Sequence, residues 1–330
     1  MRRRSLLSLL VVAIGLLAIP ASSQAYLTGV ADENPGMFTS AYYQNLITRQ
    51  PASQRISRYI VAYDVADGNR ANTYFLNVFR LWYARALSSR VTPLVAFYHS
   101  EIPSRAVKMP SVGTYTRDVK AFLKLFPRIK QYQPWNEANR GYIPRTLQSP
   151  NALQAAQYYK ALRGVCRGCQ IAALDVLDAA NIRPTLNYIA QFRHDLSRMH
   201  VPTPRLWGLH NYSDTNRFSR SRTKAILGAV PGQVWLTETG GIVNFGRSFP
   251  NRNGSGDTRA AKALSFMFGL AGSNSRITRL YIFDWSGANA DARFDAGLLD
   301  AAGTPRPGYV VVCKKLHASK CSGFPIDTKH

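Results

Sequence analysis

Glutamate is scarce in this 330-residue chain: only Glu33, Glu101, Glu137 and Glu238 occur, against 14 Asp. So few glutamates leave little for solvated helix faces, and where they stand matters. Cysteine is limited to four residues, too few for a disulfide-built scaffold of this length. Gly (23) and Pro (18) are too few and too scattered for a fibrous or low-complexity protein. No apolar run after residue 25 is long enough to span a bilayer. Acidic charge is also short, with 18 Asp+Glu against 42 Lys+Arg, giving a formal net charge of +24. That imbalance bears on partners and solubility rather than on fold. The hydrophobic fraction of 46% is ordinary for a globular protein and excludes wholesale disorder.

Residues 1–25 read as a secretory signal. Arg2, Arg3 and Arg4 form a basic start, Leu6 to Ile19 an apolar run, and Ser23-Gln24-Ala25 a small-x-small cleavage site. The run is short and ends at Pro20, which argues against a membrane anchor. Losing the three arginines lowers the charge from +24 to +21. Export permits disulfides. Cys166-x-x-Cys169 would also suit a redox motif or half a zinc site, but zinc needs both cysteine pairs to converge. The strand order places the pairs far apart, so two local bridges are expected, Cys166–Cys169 and Cys313–Cys321. No metal and no cofactor is expected.

Short apolar runs alternate with amphipathic helices. The runs are 26–31, 58–64, 91–98, 131–135, 171–176, 206–210, 234–237 and 279–285. Most are continuous rather than alternating, as in parallel strands buried on both faces. Between them, Tyr115, Val119, Phe122 and Phe126 recur at helical spacing, as do Ala155, Tyr159, Leu162 and Cys166, and Ala260, Leu264, Met267 and Ala271. Eight strands and eight helical segments predict an α/β single-domain (β/α)8 barrel. The expected boundaries are 1–25 for the signal, 26–318 for the barrel and 319–330 for a tail tied by a disulfide. A doubly wound sheet usually carries a Gly-rich loop after its first strand, and Ala31-Asp32-Glu33-Asn34-Pro35-Gly36 is not one.

Barrel active sites form at the carboxyl ends of the strands. Those ends read Tyr63-Asp64, Tyr98-His99-Ser100-Glu101, Trp135-Asn136-Glu137, Asp175, His210-Asn211-Tyr212, Thr237-Glu238-Thr239 and Asp284-Trp285. Three of the four glutamates fall there. Two carboxylates facing each other across a sugar ring are what glycoside cleavage needs: one protonates the leaving oxygen, the other attacks or activates water. Glu137 and Glu238 stand at the ends of the fourth and seventh strands. Taken singly, each could equally cap the following helix.

Here the residues carry a resemblance. Gln133-Pro134-Trp135-Asn136-Glu137-Ala138-Asn139 resembles the W-N-E-P-N acid/base motif of the retaining glycoside hydrolases of clan A. Trp235-Leu236-Thr237-Glu238-Thr239-Gly240 is similar to their nucleophile strand, His210-x-Tyr212 to their sixth-strand H-x-Y, and Trp285 to their eighth-strand tryptophan. Gly297-Leu298-Leu299-Asp300 through Tyr309 resembles the lead into their last helix. The resemblance covers residues 26 to about 317. It implies Glu137 as general acid then base and Glu238 as nucleophile. Asn136 would hold the sugar 2-hydroxyl, Tyr212 would bond the nucleophile, and Trp285 would stack under the sugar. His99 and His210 would line the same subsite, with Trp135 and Tyr63 beside it. Retention implies carboxyl groups roughly 5–5.5 Å apart, against roughly 6.5–9.5 Å for inversion. The charge of Glu238 and burial against Trp135 should raise the pKa of Glu137. Two departures stand out. Ala138 replaces the usual Pro, and the end of the second strand, Val61-Ala62-Tyr63-Asp64-Val65, lacks the arginine that steadies the nucleophile, Arg58 lying at the strand's start.

These features point to a secreted, monomeric retaining glycosidase acting on β-linked oligo- or polysaccharide. A carbohydrate-binding barrel without catalysis is the second reading, and the intact Glu pair argues against it. An anionic-polymer binder is the third. Nucleic-acid binders usually cluster Lys and Arg on a recognisable module, and none is visible, so no nucleic acid is expected. Phe245, Arg247, Phe249 and Arg252 after the seventh strand, and Arg140, Tyr142 and Arg145 after the fourth, could meet sugar rings or acidic glycans. The arginines read first as part of a solvated basic surface.

Overall fold

A computed structural model describes residues 26–141, 149–289, 291–319 and 321. The proposed signal, Tyr142, Arg145 and most of the C-terminal tail lie outside the described residues. No helix among the described residues is long and apolar enough to cross a membrane.

The strand runs of the sequence form one parallel sheet. In chain order its strands are β1 (Leu27–Ala31), β2 (Ile56–Ala62), β3 (Thr92–Tyr98), β4 (Gln131–Gln133), β5 (Gln170–Ile171), β6 (Asp175–Leu177), β7 (Leu206–His210), β8 (Gln233–Thr239) and, after a short β9 (Asn244–Phe245), β10 (Ile277–Phe283). The spatial order is β5-β4-β3-β2-β1-β10-β8-β7-β6. The expected fifth strand is therefore two pieces, β5 and β6. The chain between them closes the barrel: Ala172 N donates to Tyr132 O (3.0 Å) on one side and Ala173 N to Leu206 O (3.0 Å) on the other. The protein is an α/β (β/α)8 barrel.

The outer helices form where the apolar stripes predicted them. Helix Val112–Leu125 buries Tyr115, Val119 and Phe122. It starts at Ser111, whose Oγ accepts from Thr114 N at 3.1 Å. Asn151 caps helix Ala152–Val165 in the same way, its Oδ1 accepting from Gln154 N at 2.8 Å. Each such cap contributes about 1 kcal/mol. Helix Ser255–Gly272 buries Ala260, Leu264, Met267 and Ala271. Between β1 and β2 the crossover has no long helix, only short helical turns between Pro35 and Gln54.

The main core lies between sheet and helices. A smaller cluster of Ala31, Ile56, Leu94, Ala172, Trp235 and Tyr281 fills the lower barrel interior. Arg279 covers it, its guanidinium 4.0 Å from the Trp235 ring centre. Above that plug the interior turns polar. Both expected disulfides, Cys166–Cys169 and Cys313–Cys321, are formed. The loops after β8 and β10 meet over the mouth, where β9 pairs antiparallel with β11 (Phe294–Asp295).

Candidate active site

Arg58 organises the upper interior. It lies near the start of its strand, as the sequence indicates, but the barrel's stagger brings it level with Ala31, the last residue of β1. Its fully buried guanidinium gives Nη1 to Glu238 Oε1 (2.7 Å), and Nη2 to Asn136 Oδ1 (2.6 Å) and Asp175 Oδ2 (3.1 Å). Its Nε donates to Gln133 Oε1 at 2.6 Å. Burial works against this charge, and Glu238 and Asp175 hold it in place. The arginine missing from the end of the second strand is thus supplied from within it.

Gly208 makes room for this layer. A Cβ there would run into Asp175 Oδ1, Gln133 Nε2 and Thr237 Oγ1. Any side chain at 208 would push the carboxylate of Asp175 off its partners.

Glu137 and Glu238 come together as the resemblance implied. One carboxylate oxygen of each and a ring nitrogen of His210 lie within 4.8 Å of one another. Tyr212 Oη donates to Glu238 Oε2 at 3.3 Å. His210 joins the groups: Nδ1 is 3.1 Å from Glu137 Oε1 and 3.3 Å from Glu238 Oε2, and Nε2 is 2.9 Å from Asp175 Oδ2. Burial alone would lower the pKa of His210, but Asp175 and Glu238 overcome it and push the value up to about 10. Asp175 moves the other way: burial would raise it, yet His210 and Arg58 hold it at about 2. Three donors this close could grip a cation. The positive charge at this point is supplied by the imidazolium and the guanidinium.

Glu137 departs from expectation in two ways. Its backbone is left-handed, with φ 45°, a region non-glycine residues seldom occupy. Its carbonyl accepts from Arg140 N (2.9 Å), and the next amide, Ala138 N, donates to Asp175 O (2.9 Å). Its pKa is lowered rather than raised. Burial favours the neutral acid, but the His210 hydrogen bond, the His210 charge and Arg140 outweigh it. Arg140 Nη1 donates to Glu137 Oε2 at 2.8 Å. The charge of Glu238, which was to raise Glu137, is answered by Arg58.

The aromatic residues divide. Trp285 does not offer a stacking face. Its ring sits in the core, edge-on to Tyr43 (5.5 Å) and Tyr309 (6.3 Å). The cause is the turn after β10, where Asp32 Oδ2 accepts from Trp285 N (3.0 Å) and Ser286 N (2.8 Å). Trp135 is buried too, stacked between Tyr63 (6.2 Å) and Tyr158 (5.6 Å), so Tyr63 and Trp135 back the site rather than line it. His99 stands on the rim, its Nδ1 3.0 Å from Ser100 O and its ring against Tyr98. Partly exposed rings by the carboxylates include Tyr98, beside Glu137 and Arg140, and Phe294, 5.9 Å from Tyr212. Phe294 carried no signal in the sequence, because β11 places it. Glu33 and Asp284 also reach this rim, both with pKa raised by burial.

No protein-family model matches the chain. No curated protein matches it either. Solved structures do match in fold. Xylanase 10B from Thermotoga maritima shares 12% identity over 89% of this chain and 95% of that one, with a TM-score of 0.61. A beta-glucosidase from Thermotoga maritima in complex with castanospermine shares 11% identity over 92% and 99%, at 0.53. A family 39 glycoside hydrolase from Bacteroides cellulosilyticus WH2 shares 15% identity over 88% of this chain, at 0.54, and this chain spans only 64% of its length. The chain shares the (β/α)8 architecture of these glycoside hydrolases.

Proposed function

We propose that the protein is a secreted, retaining glycosidase that cleaves β-linked oligo- or polysaccharide, with Glu238 as nucleophile and Glu137 as acid/base. The observation that supports this reading is the close approach of the two carboxylates, one oxygen of each lying within 4.8 Å of the other, which leaves little room for a water between them. Inversion needs roughly 6.5–9.5 Å to admit a water between them.

In the first step Glu238 attacks the anomeric carbon while the glycosidic C–O bond breaks. Arg58 and Tyr212 fix its two oxygens. Glu137 gives a proton to the leaving oxygen. At rest that proton is held by the pair: the imidazolium Nδ1–H of His210 points at Glu137 Oε1. As negative charge builds on the leaving oxygen, the proton passes from His210 to Glu137 and on to the sugar. In the second step Glu137 takes a proton from water, the water attacks the anomeric carbon, Glu238 is released, and the proton returns from Glu137 to His210 Nδ1. Asn136 has its Oδ1 tied to Arg58, which leaves its amide N–H groups for a sugar hydroxyl.

A panel of aryl glycosides and polysaccharides with detection of the product anomer tests the proposal. Retained configuration and a glycosyl adduct on Glu238 are the expected results. An inverted product would overturn the mechanism, and sugar binding without turnover would favour a binding barrel.

A further inference from the structure

The charged residues are sorted along the barrel axis. Asp118 and Asp195 lie on helices and are buried, and Asp327 is outside the described residues. Of the other fifteen carboxylates, Asp175 opens β6, Asp214 and Asp257 lie in the first turns of helices that follow strands, and the rest stand at strand ends or in the loops beyond them. The opposite face is built from 48–56, 86–92, 123–131, 163–171, 198–206, 228–233, 272–277 and 314–319. These segments contain thirteen Lys and Arg and no Asp or Glu. A cationic excess spread evenly over the surface would not produce this separation.

The cations converge at one place near that face. Helix Val112–Leu125, the turn at 127–130 and Cys166–Arg167 enclose a groove of about 570 Å³. Arg117, Lys120, Lys124, Lys130 and Arg167 line it, and all five are exposed. The one carboxylate nearby, Asp118, is buried and already held by Arg117 at 2.7 Å. The Cys166–Cys169 disulfide closes the loop that carries Arg167.

We infer that this groove docks a linear anionic polysaccharide, carboxylated or sulfated, and holds the enzyme with its catalytic mouth turned away from it. With Arg117 spent on Asp118, four like charges remain around one concavity and repel each other unless anions share the space. The concave shape takes a single chain rather than a flat headgroup plane. No exposed aromatic ring lines it, so the stacking platform of single-stranded nucleic-acid sites is missing. The carboxylate-rich mouth disfavours the same polymer there. The two ends would therefore serve different glycans, an anionic one bound and another cleaved.

Binding of polygalacturonate and dextran sulfate, with neutral dextran as reference, is measured by calorimetry at about 0.15 M salt. The quadruple variant Lys120→Gln/Lys124→Gln/Lys130→Gln/Arg167→Gln should lose about tenfold in affinity and show a shallower salt dependence. A control of equal charge change at exposed sites elsewhere, Lys108→Gln/Arg183→Gln/Lys224→Gln/Lys262→Gln, should stay within about twofold. If the groove variant melts lower than wild type, Lys120→Gln/Lys124→Gln on one helix face should still show part of the loss. Equal losses in groove and control variants would overturn the inference. So would tighter binding to phosphatidylglycerol vesicles or to an oligothymidylate than to the polysaccharides, or no binding at this salt.

Discussion

Arg58 Nη1 lies 2.7 Å from Glu238 Oε1, and the same guanidinium reaches Asn136 and Asp175. One cation thus orients the proposed nucleophile, the Asn136 amide and the carboxylate behind His210. Arg58→Lys should keep the charge but lose the fork, lowering kcat by about 10²–10³. Arg58→Met should also lower stability by about 3–5 kcal/mol in denaturant titrations, because Glu238 and Asp175 stay buried without their cation. Near-normal turnover in Arg58→Lys would show that the fork is dispensable.

Glu238→Gln should remove essentially all hydrolysis. Glu137→Gln should slow substrates with poor leaving groups by about 10²–10⁴ while sparing the first step for good ones. Azide should then partly restore turnover by attacking the intermediate without base help. Wild-type rates in both variants would exclude the assignment.

His210 sets the alkaline behaviour. Its pKa, raised from 6.5 to about 10, means its charge supports the fold fully below 6.5 and is lost as pH rises through about 10. In His210→Gln the proton held between His210 and Glu137 is gone, and Arg140 keeps Glu137 ionised. The alkaline limb of kcat/KM should move to lower pH, most clearly with poor leaving groups. An unmoved limb would place the working proton elsewhere.

Glu33 predicts a pH effect on stability. Burial first, then the charge of Asp32, raises it from 4.5 to about 8. A raised folded pKa contributes stability below 4.5 that drains away as pH rises to about 8. Glu33→Gln keeps the oxygen that accepts from Ile60 N and removes the titration. Its melting temperature should fall less than that of wild type between pH 4.5 and 8. Parallel curves would contradict the assignment.

Much of this was legible in the chain. Continuous apolar runs marked the strands because both faces of a barrel strand are covered, and the rare glutamates marked the mouth. The reach of Arg58 to Glu238 was not legible because stagger between neighbouring strands, which no single strand encodes, brings the third residue of β2 level with the end of β1. The burial of Trp285 was not legible because its backbone is held by a carboxylate from β1's loop, Asp32, 253 residues away. The lowered pKa of Glu137 depends on Arg140 and His210 arriving together, and Phe294 depends on β11 finding β9.

The broken fifth strand has a further consequence. Between β5 and β6 the barrel is closed by a few bonds, among them Ala172 N to Tyr132 O, Ala173 N to Leu206 O and Gly208 N to Leu174 O. Asp175, which steadies both Arg58 and His210, begins just past this seam. A local opening there would cost far less than unfolding the sheet. It would release Asp175 while the helices and the other strands stayed in place. On heating, the proposed activity should disappear before the protein melts, with the amides of 172–175 exchanging first among the strand amides.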